Sequence, residues 1–171
     1  MSKGHHVAHL FPYKPHDPHA SLCFGISVLT FLFSIGRITR DLLLSLSTTI
    51  DIVEPIQKFT SSLTSLPGIG DIYNVGLESF TPKEGISYDL IWNQWCVGHL
   101  TDLQLSAYLR KCGSLLAKDA DGKVMGLVIV KENLAPVVDV FDEEDSSVTR
   151  FALSPPSLLF FGSVKVVGGK G

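Results

Sequence analysis

Two tryptophans and a histidine fall within eight residues of each other, in Trp92-Asn93-Gln94-Trp95-Cys96-Val97-Gly98-His99. A histidine exchanges a proton near neutral pH, which makes His99 a candidate base. Tryptophan is bulky and amphipathic and suits an aromatic pocket wall. Trp95 and His99 fit such a pocket and an ordinary turn equally well, whereas Trp92 reads as core. Glu54 ends the run Ile50-Asp51-Ile52-Val53-Glu54. An acid placed there in a doubly wound sheet accepts hydrogen bonds from ribose hydroxyls, and a solvated carboxylate at a strand end is the competing reading. Gly36, with Arg37 beside it, follows an apolar run, where a glycine lets the backbone approach a nucleotide or simply makes a turn. Lys131-Glu132-Asn133 is followed by Asp139, Asp142, Glu143, Glu144 and Asp145, then Ser146 and Ser147. A dense acidic loop binds a cationic peptide, or it is a solvated charge run.

The elements that must position these residues alternate between two patterns. Val28 to Phe33, Ile50 to Val53, Ile72 to Val75, Tyr88 to Trp92 and Gly126 to Val130 are short apolar runs that suit buried parallel strands. Between them, Ile38 to Leu46 and Thr101 to Ala117 carry helical spacing. Thr101 can cap the second helix, with Leu103, Leu105, Tyr108, Leu109, Leu115 and Leu116 as its apolar face. Pro67-Gly68-Ile69-Gly70 breaks a weaker helical stretch. Strands alternating with helices imply an α/β fold with a mostly parallel sheet and flanking helices. Ligands of such sheets bind outside the carboxyl ends of the strands, where Gly36, Arg37, Glu54, Glu78, Gln94, Trp95 and Asn133 all fall.

The bulk properties narrow the class. The chain has 171 residues, 45% hydrophobic and 18% charged, which suits one core-forming domain. A net charge of -3 argues against a nucleic-acid binder. Cys23, Cys96 and Cys112 contain no Cys-x-x-Cys pair, and their odd number disfavours a disulfide scaffold and points to a reducing compartment. Residues 20–35 are uncharged but shorter than the roughly 18 to 20 apolar residues of a spanning helix. They have the length of a signal-peptide core, with Ser34-Ile35-Gly36 as a small-x-small site. The residues straight after them belong to the motif set taken up next, which favours a non-secreted protein. Five histidines lie within residues 1–20, at spacings that match no standard zinc site, and that stretch reads as a polar leader.

Taken jointly, the motifs resemble one family. Ile-Gly-Arg-Ile-Thr (35–39), Phe-Thr-Pro (80–82), Tyr-Asp-Leu-Ile-Trp-Asn-Gln-Trp-Cys-Val-Gly-His-Leu-Thr-Asp (88–102), Leu-Arg-Lys-Cys (109–112), Val-Ile-Val-Lys-Glu-Asn (128–133) and Asp-Ser-Ser-Val-Thr-Arg (145–150) are similar to the alpha N-terminal protein methyltransferases. The resemblance covers residues 34–150 and rests above all on Trp-x-Gln-Trp-x-x-Gly-His-Leu-Thr-Asp. It implies a Rossmann-like class I methyltransferase fold and S-adenosyl-L-methionine as cofactor. The implied substrates are proteins that expose an N-terminal x-Pro-Lys/Arg, in the cytoplasm, the nucleus or both. By the same resemblance Gly36, Arg37, Glu54, Glu78 and Gln94 would bind the cofactor. Trp95, Asn133, Asp142 and Ser147 would hold the peptide, and Asp145 and His99 are the candidate catalytic groups. Glu54 stands where the family usually has Asp, and Glu78 where it has Gln.

The resemblance also marks departures. Leu32 and Ser34 occupy the first two positions of a Gly-x-Gly-x-Gly turn, and the acid before that turn is absent. A leucine there is expected to intrude on cofactor space. Residues 1–27 read as an atypical leader, 28–150 as an incomplete methyltransferase domain, and 151–171 as an atypical tail. On that division the last strands are missing and the fifth strand is left as a sheet edge, with only the tail's apolar residues available to cover it. A non-catalytic, peptide-binding relative of the family is the alternative function.

Overall fold

The structure is a computed structural model that describes residues 25–31 and 36–151, and the backbone of 164–169. Its centre is a parallel sheet of β1 (Ser27–Phe31), β2 (Thr49–Val53), β3 (Ile69–Tyr73), β4 (Leu90–Gln94), β5 (Leu127–Asn133) and β8 (Val164–Gly169). The strand order is β3-β2-β1-β4-β5-β8. Every neighbouring pair is parallel. The chain moves outward from β1 through β2 to β3, then returns to the other side of β1 with β4 and continues outward through β5. The direction of winding therefore switches between β1 and β4, which is where such sheets open a ligand crevice.

The interior of the sheet is apolar because both faces are covered. On one face Leu29, Phe31, Ile91, Val128 and Val130 pack with α3 (Asp102–Ser114). On the other, Val28, Ile50, Ile52, Leu90 and Ile129 meet Leu43 and Leu63. The α3 helix begins with a capping box: Thr101 Oγ1 accepts the Gln104 N–H, and the Gln104 side chain accepts the Thr101 N–H. Leu105, Tyr108, Leu109 and Cys112 are buried at helical spacing, whereas Leu103 is 85% exposed. The expectation that Leu103 joins the apolar face is corrected: two residues before Leu105, it points to the far side of a 3.6-residue turn.

Other features also differ from expectation. The helix expected over Ile38 to Leu46 is a π-helical segment, Thr39–Leu43, that runs into α1 (Leu44–Leu46). The third strand starts at Ile69 rather than Ile72, because the left-handed Gly68 (φ +87°) completes the preceding turn and frees Ile69 to pair with Ile50. The fifth strand is not an edge. The backbone of β8, drawn from the tail, pairs with it from Val128 to Asn133. The β-branched run Val164-Lys165-Val166-Val167 is strand-prone, and covering β5 satisfies its outer hydrogen-bonding groups. After β5 comes an antiparallel hairpin, β6 (Val140–Asp142) and β7 (Ser147–Thr149). A short helix, α2 (Gln57–Thr60), follows β2. Leu32, Ser34 and the histidines of residues 1–20 lie outside the described residues. No described helix is long and apolar enough to cross a membrane.

Candidate active site

Among the described residues, two cavities open at the carboxyl ends of the strands. The larger, about 600 Å³, is walled by Phe31, Val53, Ile56, Phe59, Leu77 and Leu100, with Glu54 and Glu78 among its polar groups. The smaller, about 400 Å³, is lined by Trp95, Glu132, Asn133, Asp142, Asp145 and Ser147. His99 lines both cavities.

Glu54 reaches the larger cavity because β2 ends at Val53 and Pro55 bars continuation of the ladder. Its side chain is only 3% exposed, and the Ile56 N–H donates to its Oε1 at 2.8 Å. Burial pushes its carboxyl above the ordinary value of 4.5, and the Ile56 hydrogen bond works in the opposite direction. Asn74 donates its side-chain N–H to the Glu54 carbonyl and to Thr60 Oγ1, tying the loop after β3 to the loop after β2. Phe31 floors the cavity through edge-to-face contacts with Phe80 and Tyr108, at centroid distances of 5.6 and 5.2 Å.

The wall between the cavities is the turn from Trp95 to Leu100. Trp95 has φ +54°, a left-handed conformation costly for a bulky residue. It is held there by the hydrogen bond from its N–H to the Lys131 carbonyl at 3.0 Å, and Lys131 Nζ lies 5.4 Å from the indole centroid. Its ring is 39% exposed and faces the smaller cavity. Cys96 and Val97 donate their backbone N–H groups to one oxygen of Glu132, at 2.8 and 3.0 Å. Gly98 lies against the hairpin, where a Cβ would come within 3.3 Å of the Val148 carbonyl oxygen. Glycine at this position lets β7 close one side of the smaller cavity.

The acidic hairpin supplies the opposite wall. Asp142 Oδ1 accepts the Glu144 N–H, and Asp145 Oδ1 accepts the Ser147 N–H, both at 2.9 Å. These local bonds aim two exposed carboxylates from a four-residue turn. Hydrogen bonding from Ser147 holds the Asp145 carboxyl below its ordinary range. Glu132 differs: burial raises its pKa, against the lowering effects of the Val97 and Cys96 N–H groups and of His99 and Arg150.

The residues named from sequence thus divide into three sets. Glu54 and Glu78 share the larger cavity, while Trp95, Asn133, Asp142, Asp145 and Ser147 share the smaller one, and His99 joins them. Gly36, Arg37 and Gln94 line neither. Gly36 is a buried left-handed turn residue (φ +70°) packed on Leu63. Arg37 is exposed. Gln94 is 7% exposed, and its Oε1 accepts from Trp92 Nε1 at 3.3 Å on the opposite face of the sheet from Phe31. Glu132 and the apolar wall of Ile56, Phe59, Leu77 and Leu100 are not among the site residues expected from sequence. The signal for Glu132 was its place one residue before Asn133 at the end of a buried strand.

The larger cavity suits the nucleoside part of an S-adenosyl cofactor. It has apolar walls for a base and one buried carboxylate, with an oxygen left over after the Ile56 bond, for paired hydroxyls.

Comparison with known proteins agrees with this geometry. The model of the AdoMet dependent proline di-methyltransferase family matches residues 28–161. Alpha N-terminal protein methyltransferase 1 of Schizosaccharomyces pombe is 41% identical over 137 residues, covering 78% of this chain and 58% of that protein. N-terminal Xaa-Pro-Lys N-methyltransferase 1 of Homo sapiens is 38% identical over 121 residues, covering 68% and 51%. A solved SAM-dependent methyltransferase from Leishmania major superposes with a TM-score of 0.62 at 31% identity, over 74% of this chain and 50% of that one. An O-methyltransferase from a Brevibacillus brevis polyketide multienzyme, at TM-score 0.52 and 14% identity, shares the fold alone, over 73% of this chain and 41% of its own. The chain spans about half the length of the curated relatives it matches. With its sheet order, its paired cavities and these matches, the chain belongs to the family of AdoMet-dependent proline di-methyltransferases.

Proposed function

We propose that this chain transfers methyl groups from S-adenosyl-L-methionine to the α-amino group of proteins exposing an N-terminal Xaa-Pro-Lys/Arg. The observation that carries the reading is His99, the shared wall of a nucleoside-sized cavity and an acidic one. The bound cofactor supplies a methyl carbon already activated by its sulfonium. Little covalent help is then needed, and alignment of the amine dominates the rate.

Each residue has a task in that alignment. Glu54 accepts hydrogen bonds from the ribose hydroxyls, and Glu78 borders the base. Trp95 walls the channel for the first peptide residues, and Asn133 bonds their backbone. Asp142, Asp145 and Ser147 hold the ammonium group and the basic third residue by charge-assisted hydrogen bonds. An α-amine titrates near pH 8 and must lose its proton before attack. His99 takes that proton at the junction. Asp145, with its carboxyl lowered by Ser147, is the poorer proton acceptor and the better anion. Gly36, Arg37 and Gln94 belong to the methionine end of the same cofactor. The free, buried Cys96 and Cys112 suit a reducing cytoplasm or nucleus.

Calorimetric titration of the folded chain with S-adenosylhomocysteine tests the first half of this reading. Micromolar binding supports it. No binding by a folded chain leaves a relative of the family without its activity.

A further inference from the structure

Two charged side chains seize the backbone of the Trp95–Leu100 turn from opposite sides. Glu132, on β5, takes the N–H groups of Cys96 and Val97 on one carboxylate oxygen. Arg150, at the exit of β7 and 5% exposed, donates to the carbonyls of Val97 (3.3 Å) and Leu100 (2.5 Å). Its guanidinium also bonds Asp102 Oδ1 at 3.0 Å, at the first turn of α3. Val97 is therefore gripped through both its N–H and its C=O.

The turn needs such a grip. It contains the left-handed Trp95 and one short 3-10 turn, Val97–His99, closed by the Leu100 N–H donating to the Val97 carbonyl at 3.2 Å. Two buried polar groups on a turn this short must otherwise find water. The same six residues carry the indole of one cavity, Cys96 and Leu100 of the other, and His99 of both.

We propose that Glu132 is a positioning residue which, with Arg150 as counterpart, braces the Trp95–Leu100 turn and so fixes His99 and Trp95 between the two cavities. For its effect on turnover the proposal rests on the methyltransferase reading; the brace itself does not. The acceptor oxygen, rather than the charge, is what holds Cys96 and Val97. Glutamine at this position keeps a carbonyl oxygen of nearly the same reach, and alanine removes it.

The experiment combines amide hydrogen exchange with steady-state kinetics on the full chain and its Glu132→Ala and Glu132→Gln variants, each checked for cooperative melting. In Glu132→Ala, exchange at Cys96 and Val97 is expected to rise on the order of tenfold or more, with α3 amides unchanged. Its kcat on an Xaa-Pro-Lys peptide is expected to fall on the order of tenfold or more, and its peptide KM to rise as Trp95 loosens. Glu132→Gln is expected to recover most of the protection and most of the kcat. Unchanged exchange at Cys96 and Val97 in a folded Glu132→Ala variant overturns the brace. So does a Glu132→Gln variant as impaired as alanine, since that assigns the effect to charge. Should the unmodified chain fail to methylate the peptide, the functional reading falls, and the exchange result still decides whether the brace exists.

Discussion

The carboxylate of Glu54 accepts the backbone N–H of Ile56 at 2.8 Å, inside the wall of the larger cavity. The contact fixes one oxygen and leaves the other for a ligand. Because burial raises the Glu54 pKa above 4.5, its two protonation states serve opposite ends. The neutral acid is favoured by the fold, so this group's contribution to stability is fully present below pH 4.5 and is lost as pH rises through the raised pKa. Under the proposed function cofactor binding needs the carboxylate, and it gains over that same interval. Titrations with S-adenosylhomocysteine across pH 4 to 8 (approximate limits) are expected to show affinity rising with pH through a midpoint above 4.5. Glu54→Gln is expected to flatten that dependence and weaken binding about tenfold.

Under the proposed function the acidic hairpin is the part that selects a basic third residue. Asp142→Asn and Asp145→Asn should each raise KM for an Xaa-Pro-Lys peptide, by about tenfold at low salt. The penalty should shrink as ionic strength rises, since both carboxylates are exposed. Affinity for S-adenosylhomocysteine should not change, because neither side chain lines the larger cavity.

Strain at Trp95 is measurable by comparing two truncations. Trp95→Gly and Trp95→Ala both remove the indole wall and should raise peptide KM alike. Glycine tolerates φ +54° and alanine does not, so Trp95→Gly should be the more stable of the two by about 1 kcal/mol in urea denaturation. The reverse order would mean that the left-handed conformation is not kept once the indole is gone.

Far from both cavities, the Tyr88 hydroxyl donates to Asp51 Oδ2 at 2.8 Å, while the Asp71 N–H donates to Oδ1. Burial first, and the charged partner second, push the Tyr88 pKa up. Tyr88→Phe leaves a buried carboxylate oxygen short of a donor and should cost about 1–3 kcal/mol of unfolding free energy. It should leave kcat and KM unaltered.

Much of this architecture was legible in the residues. Period and capping located β2, β4, β5 and α3 because buried parallel strands are near-continuous apolar runs and Thr101 with Gln104 marks a helix start. That Glu54, Trp95, Asn133 and the acidic hairpin line cavities was legible because such cavities open where parallel strands end. Other features were not. The covering of β5 by Val164–Gly169 depends on a pairing more than thirty residues away, which no local period reveals. Glu132 looked like one charge among many, because its importance lies in which backbone groups it faces. The side of the sheet on which Gln94 lies, with Trp92, follows from strand alternation and not from position along the strand alone.

Methyl transfer to a protein N-terminus is read by intact-mass analysis of a synthetic peptide. A peptide beginning Ser-Pro-Lys is incubated with the folded chain and S-adenosyl-L-methionine, beside an N-acetylated copy of the same peptide. The free peptide is expected to gain successive methyl masses and the acetylated copy none, with the rate reduced on the order of a hundredfold by His99→Ala. Methylation of the acetylated peptide, or no mass gain on the free peptide by a chain that melts cooperatively, would contradict that expectation.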